Sequence, residues 1–267
     1  MKLARYLARL GYGSRRESEA LCRSGRVARV APAIEGSPSI APVPLRDPDL
    51  PVTPADHAFL RVDDEPLDPP PGAVWMLHKP AGLVCSTDDR GALVYDLLPA
   101  RLRLRDPVVA SVGRLDKETT GLLLLTDDGA LLHRLTSPRS HLPRTYRVQL
   151  AEPLRGHEAE RFASGTLRLD GDATPLRAAR LEVLGVQEVR LTISEGRYHQ
   201  VRRMFAALGN HVVGLHREAL GPLALESLAE GRWRLLDTDE LASLDAALRE
   251  AKDAARLRPT GGSPPAP

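Results

Sequence analysis

Eleven of the chain's 23 prolines fall between Pro32 and Pro71. Each proline fixes its own φ and lacks the amide hydrogen that a helix interior or a central strand needs. A stretch so loaded cannot hold a long regular element. Residues 30–72 therefore divide the 267-residue chain into a short head and a much longer body. They read as an extended linker in which only residues 58–62 look strand-like.

Charge changes sign across the same divide. Residues 1–29 carry eight Lys and Arg against two acids, a net +6, whereas residues 30–75 carry two against eight, a net −6. A basic head of this density suits a polyanion, RNA or DNA, and equally a solvated helix face. Leu3, Tyr6, Leu7 and Leu10 recur at helical spacing and stop at Gly11. Ser14 with Glu17 three residues later fits a capping box that opens a second helix through Cys22. Lys2, Arg5, Arg15, Arg16 and Arg23 are the candidate phosphate contacts of this head.

The body begins near Ala73. Residues 74–77 and 122–125 read as buried strands, and 145–150 and 189–193 alternate as half-buried ones. Helices are expected at 130–136, 199–208 and 239–255, with a Pro/Gly/Ser-rich, disordered tail over 256–267. Strands outnumber helices without alternating as βαβ units, so the fold class is α+β with a mostly antiparallel sheet. Two cysteines, Cys22 and Cys85, exclude a disulfide framework. No apolar run reaches the length of a membrane span, and the start lacks a signal-peptide core, which points to the cytoplasm.

Three stretches can carry chemistry. In GRLDKETTGLLLLTDDG, residues 113–129, Asp116 sits in a polar turn just before a hydrophobic strand. A carboxylate held this way can act as nucleophile or general base, or simply cap the turn. In ISEGRYHQVRRMFAALGN, residues 193–210, Arg197, Arg202 and Arg203 gather at a helix start. They can bind phosphate, turn inward to hold a carboxylate, or only solvate the surface. Tyr146, in the basic strand Arg144-Thr145-Tyr146-Arg147, can stack on an unstacked base or face the core. His199, His211 and His216 lack partners at ligand spacing, so no metal is expected.

Taken together these motifs resemble the pseudouridine synthases, in the ribosomal RNA branch that carries a small N-terminal RNA-binding domain. The match runs through Gly113-Arg114-Leu115-Asp116, Thr120 to Thr126, Thr145-Tyr146, Glu195 to Met204, and Leu215-His216-Arg217-Glu218. Val84-Cys85-Ser86-Thr87-Asp88-Asp89 and residues 191–218 look most like the small-subunit (16S) enzyme. The resemblance implies that the protein isomerises one uridine of ribosomal RNA, in 16S rRNA, without cofactor or redox step. Asp116 would be the catalytic carboxylate, attacking the ribose or the uracil ring. Arg202 would pair with it, and Tyr146 would stack on the uracil and assist the final proton removal. Arg114 would help extrude the base, and Leu215 would floor the pocket.

The resemblance further implies a basic RNA-binding domain with a divergent acidic, proline-rich extension over 1–60, a linker over 61–72 and a catalytic domain over 73–255. Arg197, Arg203 and the head's cations join the RNA-binding set, and ribosomal RNA, free or in a ribosomal precursor, is the expected partner of a monomer. Ala4 stands where relatives usually carry aspartate, and the acidic stretch replaces the usual turn and strand after Val27. The competing expectations are a 23S rRNA enzyme, a catalytically silent RNA-binding or ribosome-assembly factor, and a carboxylate-dependent glycosidase, which would lack a second acid at a defensible position.

Overall fold

The computed structural model describes residues 1–30, 41–86, 91–137 and 140–257. Residues 87–89 of the motif at Val84, and the tail from residue 258, lie outside the described residues. The chain forms two compact units, one of residues 1–74, 95–110 and 126–129, the other of residues 75–94, 111–125 and 130–267.

The first unit opens with α1 (Leu3–Arg9) and α2 (Arg15–Arg23). The capping box is formed: the Glu17 amide donates to Ser14 Oγ and the Ser14 amide to the Glu17 carboxylate at 2.7 Å. Strands β1 (Val27–Arg29), β2 (Val43–Pro44), β3 (Leu60–Val62) and β4 (Glu65–Pro66) follow and pair in the order β2-β1-β3-β4. The proline-rich segment is thus not only a linker. Each strand has only two or three residues, and Pro44 and Pro66 stand in the two edge strands, where a missing donor is harmless.

The expected 61–72 linker holds the end of β3 and all of β4. Val52, Leu60, Val62 and Leu67 bury themselves against Leu3, Tyr6, Leu7 and Leu10, so the apolar stripe of α1 finds its cover in the segment with the least periodicity. The acidic segment also docks onto the basic head. Leu3 and Ala4 donate to the carbonyls of Leu50 and Pro48. Asp49, Asp63 and Asp56 pair with Lys2 (3.0 Å), Arg26 and Arg29 (2.9 Å).

The same unit contains α3 (Ala100–Arg103) and a fully buried ion pair. Arg105 Nε donates to Asp127 Oδ2 at 2.9 Å and Arg105 Nη1 to the Pro69 carbonyl at 2.8 Å, while Asp127 Oδ1 accepts the Gly72 amide at 2.8 Å.

The body's strands are β5 (Val74–Lys79), β6 (Ala110–Ser111), β7 (Thr120–Thr126), β8 (Arg144–Leu150), β9 (Arg180–Val183), β10 (Glu188–Ile193), β11 (Val212–Leu220), β12 (Leu223–Ala224) and β13 (Trp233–Leu235). They pair as β13-β5-β7-β11-β8-β10-β9, with β12 on β11 and β6 on β7. Helices α4 (Gly129–Thr136), α5 (Glu158–Ala163), α6 (Gln200–Ala206) and α7 (Thr238–Leu257) accompany them. The α+β class holds, with one correction: β7 and β11 run parallel, so the sheet is mixed. Leu122, Leu123, Leu124 and Leu125 are all fully buried. That is why β7 reads as a continuous apolar run rather than an alternating strand. Helix α7 extends two residues into the expected tail. Among the described residues no helix is long and apolar enough to cross a membrane.

The β7–β11 approach depends on Gly121. Its φ is +107°, and a Cβ there would lie 2.3 Å from the Arg217 carbonyl oxygen and 2.6 Å from the Arg217 nitrogen. Both obstacles are backbone. Gly121→Ala should therefore destabilise the protein by roughly 2–4 kcal/mol, read as a lowered midpoint of thermal unfolding. An unchanged midpoint would contradict the close packing of these two strands.

Candidate active site

Strand β11 lies between β7 and β8, and this pairing assembles the site. Gly121 stands opposite Arg217 on one side of β11, and Tyr146 stands opposite Arg217 on the other. The turn that carries Asp116 immediately precedes β7, and Leu215 sits on β11 itself.

The turn is held at both ends. The Val112 amide donates to the Leu124 carbonyl at 2.8 Å, and the Thr119 amide closes back onto the Asp116 carbonyl at 3.0 Å. Lys79, with no solvent exposure, sends its ammonium to the carbonyls of Pro80 (2.9 Å), Lys117 (3.0 Å) and Thr119 (2.9 Å). Burial pushes the Lys79 pKa down. Three carbonyl acceptors are what a desolvated ammonium needs. The sequence reading missed this brace.

Asp116 is partly exposed. Its Oδ2 lies 3.9 Å from Arg202 Nε and accepts from Thr119 Oγ1 at 3.5 Å, and its Oδ1 lies 3.5 Å from His199 Nε2. Arg202 is fixed by its other arm, Nη1 donating to the Val212 carbonyl at 2.8 Å. His199 stands just ahead of α6 with a left-handed φ of +48°, its ring stacked on Tyr198 at 3.9 Å. No local sequence signal marks that contact with Asp116.

Asp116 opens into a cavity of about 190 Å³ that Arg114, Tyr146, His199, Leu215 and Arg217 also line. Tyr146 and Leu215 are buried apart from the surface they offer to it. The Tyr146 hydroxyl has no hydrogen-bond partner among the described residues. Arg114 stands exposed at its edge. The sequence-level set of Asp116, Arg114, Tyr146, Arg202 and Leu215 is thus gathered at one place, from four separate segments.

Arg197 and Arg203, expected among the RNA-binding residues, hydrogen-bond within the protein itself. Arg197 donates to Asp172 (2.7 Å), Glu195 (3.3 Å), Thr174 and Pro175. Arg203 donates to Asp172 (2.8 Å) and the Asp170 carbonyl. Hydrogen bonds from these two guanidinium groups hold the Asp172 carboxyl below the usual carboxylate range. Both arginines latch the start of α6 to the 170–175 loop, so most of their donors are already occupied.

In the head, Arg15 and Arg23 share Glu19 at 3.2 Å each, Lys2 is held by Asp49, and Arg5 and Arg16 are exposed with no ion pair among the described residues. His216 Nδ1 lies 2.8 Å from Thr120 Oγ1, and its ring packs edge-on against His78. Among the described residues no group of His, Cys, Asp and Glu side chains could hold a metal ion.

The model of a protein family described as RNA pseudouridylate synthase matches residues 73–207, the segment that carries Asp116, Tyr146 and Arg202. The chain belongs to the RNA pseudouridylate synthase family. Among its relatives, a protein of Pasteurella multocida named ribosomal small subunit pseudouridine synthase A is 49% identical over 176 residues, covering 65% of this chain and 74% of the relative. The Escherichia coli protein of the same name is 50% identical over 175 residues, covering 64% and 73%. A solved structure described as a pseudouridylate synthase shares 39% identity with a TM-score of 0.61, covering 91% of this chain and 99% of that one. The resemblance read from the motifs is therefore borne out at the level of family and fold.

Proposed function

We propose that the protein converts a uridine of small-subunit (16S) ribosomal RNA to pseudouridine. The observation that carries this reading is the Asp116 carboxylate in an open cavity beside Tyr146 and Leu215, with Arg202 and His199 at its two oxygens. The names of the two bacterial relatives supply the substrate class.

The reaction breaks the bond between ribose C1′ and uracil N1, turns the base, rejoins C1′ to C5, and balances the proton lost from C5 with one gained at N1. A carboxylate nucleophile splits this into two easier steps. Arg202 aims Asp116 by being tied to Val212 on its other side. Tyr146 offers a ring face for the uracil and an uncommitted hydroxyl close to where the last proton leaves. Leu215 floors the cavity. The target base must leave its stack, at a cost of about a few kcal/mol, and Arg114, exposed at the rim, fills the vacated place.

Lys2, Arg5, Arg15, Arg16 and Arg23 dock the head on the RNA backbone, while Arg197 and Arg203 hold α6 in place and add to the positive potential there. Ribosomal RNA, free or within a precursor particle, is met by a monomer in the cytoplasm.

A pseudouridine map of small- and large-subunit ribosomal RNA from cells with and without the protein tests the proposal. One missing site in the small subunit is expected. A missing site only in the large subunit would move the substrate to 23S rRNA, and two identical maps would leave the silent RNA-binding factor standing.

Salt dependence tests the docking. Five phosphate contacts at about −0.7 each on single-stranded RNA give a slope of log K against log salt near −3.5, and two contacts give about −1.4. Because three of the five cations are already ion-paired, the slope should fall between these values. A flat titration would remove the head from the RNA interface.

A further inference from the structure

Arg144 opens β8 two residues before Tyr146, so the two side chains project to the same face of the sheet. Both line the cavity that contains Asp116. Arg144 also lines a second, larger cavity of about 490 Å³, and Thr136, Gly196 and Arg197 are the other residues common to the two. Thr136, Ser140, Thr174 and Ser194 line this second space.

Unlike Arg197, whose guanidinium is saturated by protein acceptors, Arg144 makes no side-chain hydrogen bond and no ion pair among the described residues. Burial depresses its pKa, and the nearby Arg217 cation pushes the same way. Arg217 has its own surplus: Nε donates to the Leu122 carbonyl at 2.6 Å, while Nη2 is buried without a partner. The carboxylate of Glu195, which lines the second cavity, is taken by Arg197, by Gln200 Nε2 and by the Arg177 amide at 2.8 Å. A half-buried guanidinium and a buried one thus sit close together, and neither makes an ion pair among the described residues. Such an arrangement is costly and is relieved when the anion arrives with the ligand.

The substrate supplies one. If a flipped uracil occupies the cavity at Asp116, the adjoining cavity offers room for a neighbouring nucleotide, and the linker between the two is a charged phosphodiester that would run past the residues they share. A planar guanidinium suits that group through two parallel N–H donors. We propose that Arg144 binds the phosphodiester flanking the target uridine and that the second cavity receives the adjoining nucleotide. This rests on the reading of ribosomal RNA as substrate.

A double cycle of protein and RNA changes tests it. The RNA is a fragment carrying the mapped uridine, synthesised with either flanking phosphate replaced by a neutral methylphosphonate. The proteins are the wild type, Arg144→Met and Arg144→Lys. Charged hydrogen bonds of this kind correspond to roughly 10–100-fold in kcat/KM, and the loss should appear mainly in KM. One of the two methylphosphonates should cost the wild type a similar factor and cost Arg144→Met nothing further, with Arg144→Lys recovering part of the loss.

Full sensitivity of Arg144→Met to both methylphosphonates would overturn the subsite, as would an unchanged kcat/KM. If Arg144→Met fails to fold, Arg144→Lys takes its place in the cycle, and a wild type indifferent to both methylphosphonates overturns the subsite by itself. Should the wild type form no pseudouridine, the functional reading fails on its own, and the same cycle read as equilibrium affinity for the fragment still decides whether Arg144 holds the phosphate.

Discussion

Asp116→Asn should form no measurable pseudouridine, a fall in kcat of at least about 10³-fold, while binding the same RNA fragment within about threefold of the wild type. The substitution keeps shape and volume and removes the nucleophile. The side-chain amide that replaces the carboxylate can still accept from Thr119, so the turn braced by Lys79 has no reason to move. Single-turnover assays with saturating protein separate the chemical step from binding. If this variant instead kept a tenth of the wild-type rate, the carboxylate would not be the reacting group, and His199, which faces the same oxygen pair at 3.5 Å, would be the next group to test. A loss carried wholly by KM would point to a binding role for Asp116.

The second large effect concerns stability. Asp127→Ala leaves the guanidinium of Arg105 buried with its carboxylate removed and the Gly72 amide without its acceptor. Breaking one side of a buried, hydrogen-bonded ion pair costs about 3–5 kcal/mol. For a chain of this size that lowers an unfolding midpoint by roughly 6–20 °C. The first unit should melt first, because both partners and both backbone contacts belong to it. The double variant Arg105→Met/Asp127→Leu should recover most of the loss, since an apolar pair removes both desolvation penalties together. A single variant that melts with the wild type would mean that this pair does not contribute in the folded state.

Much of the chain's secondary structure was legible because its signals are local. The capping box at Ser14, the alternation of 145–150 and 189–193, and the four leucines after Gly121 each report an element from residues that are near neighbours in sequence, and each element formed within a few residues of its expected bounds. Strand β11 was not legible as a strand. Gly214 and two register shifts interrupt its pattern, and its burial is set by neighbours on both sides rather than by a solvent face. Apart from β3, which lies in the strand-like 58–62, the small sheet of the first unit was hidden for another reason. Its strands are too short to show a period, and proline, which argues against central strands, is compatible with the two edges where Pro44 and Pro66 lie.

Charge gave a half-correct account. A net charge counts residues and not their partners, so the surplus of the head and the deficit of the next segment looked like separate properties. In the fold they meet, as Lys2 with Asp49, Arg26 with Asp63 and Arg29 with Asp56. Arg197 and Arg203 were placed at a helix start correctly, and their commitment to Asp172 was invisible because that partner sits 25 and 31 residues away.

The sequence alone determined which side chains are available and the local elements that carry them: an aspartate in a turn before an apolar strand, a tyrosine on an alternating strand, arginines at a helix start. It also determined the family, because those motifs occur together in one order. Only the tertiary structure decided which groups meet. It set Arg202 and His199 against the two oxygens of Asp116, committed Arg197 and Arg203 to the protein itself, and left Arg144 without an anion. The physical reason is that local periodicity encodes which face of an element is apolar, whereas the pairing of β11 with both β7 and β8 is fixed by packing between segments up to 96 residues apart.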